Sequence, residues 1–362
     1  MNTTIATRPF KSWWGTDPLH PLDRHFARFI MELAGIEDNA LFLAAALVSR
    51  ATRQGHVCLD LGTVAGRPLE GISPGDNMSK YPELADWRTC LKKAAVVGAP
   101  GEYRPLILDE RSRLYLFRYW EYERDVAAFI RKDNAGAGKR IDQTKLEQGL
   151  ERYFPQDPMG PDHPDWQQVA ARTALTRRFC VITGGPGTGK TTTVAKLLAV
   201  LREQPDGADW HIALAAPTGK AAARLEEAIR AACDRFECPA DIKTAIPIRA
   251  ATVHRLLGSL PHSPYFRHDA QNPLAVDLVI VDEASMVDLA LMAKLVRALP
   301  PQARLVLLGD KDQLASVEAG AVLGDICHGQ PTLALGPDRD TTGDSSKPGE
   351  TTRAGGAPGR CY

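Results

Sequence analysis

Residues 184–191 read Gly-Gly-Pro-Gly-Thr-Gly-Lys-Thr, a glycine-rich loop that ends in an amine and a hydroxyl. The spacing fits G-x-x-x-x-G-K-[ST], a loop built to hold phosphate. Glycines let backbone N–H groups curl around phosphate oxygens, a helix starting there points its positive end at them, and Lys190 adds a point charge. Thr191 offers a hydroxyl to Mg²⁺. Further on, Val279-Ile-Val-Asp-Glu-Ala-Ser285 is an apolar run closing on two carboxylates. Beside a phosphate loop, Asp282 can hold Mg²⁺ through water, and Glu283 can orient an attacking water. Alone, the same segment fits a strand ending at an ordinary acidic turn.

Other segments carry polar groups at comparable places. Leu305-Val-Leu-Leu-Gly-Asp310 leads into Lys311-Asp312-Gln313, where an amide beside a γ-phosphate can sense its presence; a solvated turn is the plainer reading. Leu214-Ala-Ala-Pro-Thr-Gly-Lys220 places Thr218, Gly219 and Lys220 at a helix start, which suits a nucleic-acid phosphate or a simple helix cap. Thr252-Val-His254-Arg255 offers a second hydroxyl, with His254 and Arg255 fitting a structural role equally well. Gln167 and Gln168 both have the donor and acceptor needed to read an adenine edge.

The elements that must position these groups are legible in the apolar pattern. Runs at 178–183, 211–216, 277–282 and 304–309 read as strands, each followed by helical spacing. Alternation of this kind predicts an α/β fold, a parallel sheet with helices on both faces, with function at the strand C-terminal ends. Before it, 19–58 has helical spacing, with Phe26, Phe29, Ile30 and Leu33 on one face and Leu41 to Leu47 following. Pro105–Leu108 and Leu114–Tyr119 read as short strands around the turn Asp109–Arg113, and 121–131 as helix. Four regions result: a small, mostly α N-terminal domain at 1–131, a connection at 132–164 with one helix near 142–153, the sheet domain at 165–327, and a low-complexity tail at 328–362. The tail is too poor in large apolar groups to order itself.

The chain has 362 residues, enough for two domains, and 44 basic side chains against 44 acidic. A polyanion would therefore be held by local patches and not by net charge. Seven cysteines without a CxxC pair read as free thiols in a reducing compartment, and no apolar run reaches membrane-spanning length. The polar N-terminus lacks a signal core, so the expected location is the cytoplasm, with no membrane partner.

Five segments in this order resemble a superfamily-one DNA helicase: Trp166-Gln-Gln-Val-Ala170, GGPGTGKTTT, APTGKAAARL, VIVDEASMVDL and LLGDKDQLASVEAGAVLGDI. More narrowly they resemble the RecD family, the alpha subunit of exodeoxyribonuclease V. Ala251-Thr-Val-His-Arg-Leu-Leu-Gly258, Asn272-Pro-Leu274 and Gly55-His-Val-Cys-Leu59 fit that family as well. The resemblance implies a P-loop, RecA-like sheet with ATP and Mg²⁺ as cofactors. Gln167, Gly184, Gly185, Pro186, Gly187, Thr188, Gly189, Lys190, Thr191 and Thr192 would bind nucleotide. Thr191 and Asp282 would hold the metal. Lys190, Asp282, Glu283 and Gln313 would be catalytic, and Thr218, Gly219, Lys220 and Thr252 would lie along single-stranded DNA.

Family members are five-prime to three-prime motors acting on duplex ends, in a recombination and repair complex with RecB and RecC subunits, to which the N-terminal domain docks. A complete member continues into a second lobe carrying an arginine for the γ-phosphate. Here the resemblance stops near Ile326, so the chain reads as a truncated member, expected to bind ATP but to hydrolyse it slowly and not to unwind DNA alone. The alternative is a non-catalytic ATP-binding module that docks to the partner subunits.

Overall fold

The computed structural model describes residues 19–69, 80–132, 141–155, 165–185, 187–310, 319–320 and 322–327. Pro186, Gln313 and the tail expected to be disordered lie outside the described residues. The chain divides into two compact units, one running to Glu121 and the other starting at Tyr122.

The N-terminal unit contains α1 (Pro21–Ala34), α2 (Asn39–Arg53), β1 (Cys58–Asp60), α3 (Leu61–Val64), α4 (Leu84–Lys93), β2 (Val97–Gly98), β3 (Leu106–Leu108), β4 (Arg113–Leu116) and the start of α5 (Phe117–Arg131). Its small sheet has the order β1-β4-β3-β2. The β3–β4 hairpin pairs Leu108 with Leu114 across a turn that Asp109 closes, accepting from Arg113 N–H at 2.8 Å. The expected strand Leu114–Tyr119 stops at Leu116, and helix begins at Phe117, four residues before the expected 121. An aromatic run reads as strand by propensity, but helical packing prevails: the rings of Phe117 and Trp120 lie one turn apart, 6.3 Å between centroids. Trp87 is fully buried beside α2, its indole N–H donating to the Ala40 carbonyl at 2.9 Å.

Helix α1 buries only part of the face its sequence indicates: Ile30 is buried and Phe26 packs partly against the core, while Phe29 and Leu33 stay outside. It packs through Asp23, Ala27 and Ile30, because Asp23 is wholly buried in a polar knot with α2. Ser49 Oγ donates to its carboxylate at 2.8 Å and Arg53 pairs with it at 3.0 Å. That anchoring leaves an adjoining stripe outside: Leu22, Phe29, Leu33 and Ile36 are 59%, 58%, 55% and 43% exposed. Leu22, Phe29 and Leu33 recur at the helical repeat and form one apolar band, with Ile36 beyond the helix after Gly35.

The second unit carries α6 (Gln143–Tyr153), α7 (Trp166–Thr176), β5 (Phe179–Thr183), α8 (Lys190–Arg202), β6 (Ile212–Ala216), α9 (Gly219–Arg235), α10 (Ala240–Ala245), β7 (Ala250–Thr252), α11 (Val253–Leu257), β8 (Leu278–Val281), α12 (Leu289–Ala298), β9 (Arg304–Gly309) and α13 (Val322–Cys327). The strands form one parallel sheet, order β5-β9-β8-β6-β7. Every residue of β8 and β9 is buried, which requires cover on both faces. The fold is α/β, as the pattern predicts. Strand β7 went unforeseen, since Ala-Ala-Thr is too short to register as a strand. Cys90, Cys180, Cys233, Cys238 and Cys327 are free thiols; Cys58 is not among them, so the expectation of free thiols throughout does not extend to it.

Candidate functional site

β5 delivers the glycine loop. Its last residue, Thr183, is in register with Gly309 of β9, and Gly184 N–H donates to the Gly309 carbonyl at 3.3 Å. Gly187 and Gly189 take φ of 78° and 84°, a left-handed conformation that costs glycine almost nothing. Lys190 then opens α8. Gly189 gives that helix no side-chain cap, whereas Asp165, Thr218 and Asp288 cap α7, α9 and α12. The first N–H groups of α8 are thus left for an anion, with the helix dipole behind them. Lys190 Nζ folds back over the loop, donating to the Gly184 carbonyl and, at 2.8 Å, to that of Gly185. Thr191 and Thr192 are half-buried at the helix start.

Asp165 also fixes which glutamine meets the loop. Its Oδ1 accepts from the backbone N–H of Gln167 at 2.9 Å and of Gln168 at 3.3 Å. The Gln167 side-chain amide then donates to the Thr188 carbonyl at 3.3 Å. A methyl group at Gly189 would sit 2.6 Å from that same amide nitrogen. The contact could be anticipated only in part: an aspartate just before a helical run marks an N-cap, but nothing local shows where the amide points.

The carboxylates follow β8, with β9 between them and the loop strand. Asp282 N–H donates to the Ala215 carbonyl at 2.9 Å, and Asp282 Oδ1 accepts from Glu283 N–H at 2.9 Å. Burial raises the Asp282 carboxyl above its ordinary range; the Glu283 charge pushes the same way, while the Glu283 N–H and the Lys190 ammonium pull against it. Glu283 itself sits at φ 51°, left-handed for a residue with a side chain, a strain of about 1–2 kcal/mol.

Beyond these, Thr252 ends β7 in register with Ala216 of β6, two residues before Thr218. Both threonines act as caps: Thr218 Oγ1 accepts from Ala221 N–H at 3.2 Å and Thr252 Oγ1 from Arg255 N–H at 3.1 Å. Each hydroxyl keeps its own proton to donate. Thr218, Gly219 and Lys220 are exposed. Across the sheet edge the order is thus glycine loop, the end of β9, carboxylates, then the two threonines.

Residues 16–115 match the family model for the N-terminal domain of the RecBCD enzyme subunit RecD, and residues 167–319 match the model of an AAA domain. The RecBCD enzyme subunit RecD of Mycolicibacterium smegmatis is 42% identical over 319 residues, covering 86% of this chain and 53% of that protein. Its counterpart from Haemophilus influenzae is 38% identical over 329 residues, covering 84% and 51%. The chain is RecD-like in both of its units. It spans about half the length of these RecD relatives. The ATP-dependent RecD2 DNA helicase of Deinococcus radiodurans is 44% identical over 250 residues, 67% of this chain and 28% of that one. The AAA match of this RecD-like chain begins at Gln167, the residue touching the loop, and takes in Thr218, Thr252, Asp282 and Glu283.

Proposed function

We propose that the chain is the ATP-driven, five-prime to three-prime helicase part of a RecD-type subunit, working on single-stranded DNA and duplex ends with RecB-like and RecC-like partners. The observation that carries this is the parallel order β5-β9-β8, which puts an uncapped α8, headed by Lys190, and the carboxylates Asp282 and Glu283 at the same end of the sheet. The donor set suits a nucleoside triphosphate with Mg²⁺: Lys190 and the N–H groups at the start of α8 for the phosphates, the Thr191 hydroxyl and the Asp282 carboxylate for the metal. Bound there, the metal would neutralise phosphate charge. Glu283 would orient the attacking water, and Gln167 would hold the loop. Thr218, Gly219, Lys220 and Thr252 would pass DNA phosphates along the far half of the edge. Gln313 completes the set as the γ-phosphate sensor. Partner docking is supported by the apolar band on α1, a surface a lone soluble domain has little reason to expose.

Lys190→Ala removes a charge-assisted contact worth about 1.5–3 kcal/mol. Calorimetry should show ATP affinity falling roughly ten- to hundred-fold; unchanged affinity in the variant would sink the nucleotide assignment. Strand separation with RecB and RecC subunits added tests the motor reading in turn.

A further inference from the structure

After α11 the chain makes an excursion that the nucleotide site does not use. Its neck is tied by backbone bonds, Arg267 N–H to the Gly258 carbonyl at 2.8 Å and His268 N–H to Leu257 at 3.0 Å, with Ser259 bridged to Phe266. Its tip is folded on itself. Ser263 N–H donates to the Leu260 carbonyl at 3.3 Å, Tyr265 N–H donates to Ser263 Oγ at 3.1 Å, and His262 takes φ 56°. Two neighbouring aromatics then part company. Phe266 turns inward, its ring 5.7 Å from that of His254 and 5.3 Å from Lys294 Nζ, while Lys294 also donates to the Pro264 carbonyl at 3.1 Å. Tyr265 turns outward and is 74% exposed.

In sequence the ring is flanked by basic residue types, and the first carboxylate after it is Asp269. From His254 to His268 the chain carries two arginines and three histidines and not one carboxylate. Lys294 adds a further positive charge beneath. The excursion hangs from α11, whose first residue follows Thr252 directly. A flat, exposed ring on a tied base, in a segment that carries Arg255 and Arg267, is held through its neighbours by Lys294 and follows Thr252 through α11, has the composition of a stacking platform.

We propose that Tyr265 stacks on a nucleobase of single-stranded DNA whose phosphates run past Thr252 and Thr218; this rests on the DNA reading above. The tied neck means little freedom is lost when the base arrives. Stacking needs only the π-face of a base, so the contact is indifferent to sequence.

The test is fluorescence anisotropy of the full chain with a labelled oligothymidine and with an abasic oligomer of the same length, at two salt concentrations. Tyr265→Ala should bind oligothymidine on the order of ten-fold more weakly. It should bind the abasic oligomer as wild type does, with the salt slope unchanged. Tyr265→Trp should restore the loss. Lys220→Ala should instead flatten the salt slope on both oligomers. Wild-type affinity in Tyr265→Ala, or equal losses on both oligomers, overturns the stacking inference while the DNA reading stands. If the wild-type chain binds neither oligomer, both fall together.

Discussion

Asp282 must carry a charge where burial resists one. Its carboxyl is pushed up chiefly by desolvation, with Lys190 too weak a counterweight in this conformation. The sign of the linkage follows. A carboxyl whose folded value lies above its unfolded value contributes most to stability in acid, and that contribution is lost as pH rises through the folded value. Asp282→Asn loses nothing over the same window. Urea melts should therefore show the two proteins close in stability near pH 4 and the variant ahead at pH 7.5, while its Mg²⁺-dependent ATP affinity is poorer. A variant no more stable than wild type at pH 7.5 would mean the carboxylate is better solvated than the strand end implies. Glu283 belongs to the same pattern: a strained backbone and a raised acid sit side by side, as expected where a site is maintained against local stability. The residue types at 282–283 were readable from sequence. The strain was not, because φ is decided by what packs around the turn.

Among the elements, α1 shows how a buried polar group can redirect a helix. Hydrophobic spacing groups Phe29 and Leu33 with Phe26 and Ile30 on one face, yet the buried face, centred on Asp23, Ala27 and Ile30, lies about a quarter-turn away. Asp23→Ala removes both the ion pair and the Ser49 bond, at a cost of about 2–3 kcal/mol. Thermal melting should register it, together with a drop in the α1–α2 coupling seen by amide exchange. Equal stability would show that the apolar contacts of Ala27 and Ile30 are sufficient alone. The strands of the second unit were legible because long apolar runs admit few alternatives. β7 was not, since its three residues become a strand only by pairing with β6, a nonlocal fact. Gln167 was likewise one of two candidates until Asp165 fixed the helix start.

At the scale of the whole molecule, each unit keeps its own core. One gathers Leu41, Trp87, Leu106 and Leu114; the other gathers Leu146, Leu198, Ile280 and Leu308. Trp87→Ala should cost about 3–5 kcal/mol in the N-terminal unit. ATP affinity should nonetheless stay within two-fold of wild type, as residues with no shared partners add rather than couple. A Trp87→Ala chain that melts early and also loses nucleotide would contradict that separation.

Strand β5 lies at the end of its sheet and is zipped to β9, whose residues follow some 120 positions later. During synthesis at about 5–20 residues per second, roughly 6–25 s pass before that partner exists. Throughout the interval Phe-Cys-Val-Ile-Thr, the segment that will carry the phosphate loop, is an unzipped edge. A ribosome stalled in this window holds out a sticky β-segment to any neighbouring nascent copy.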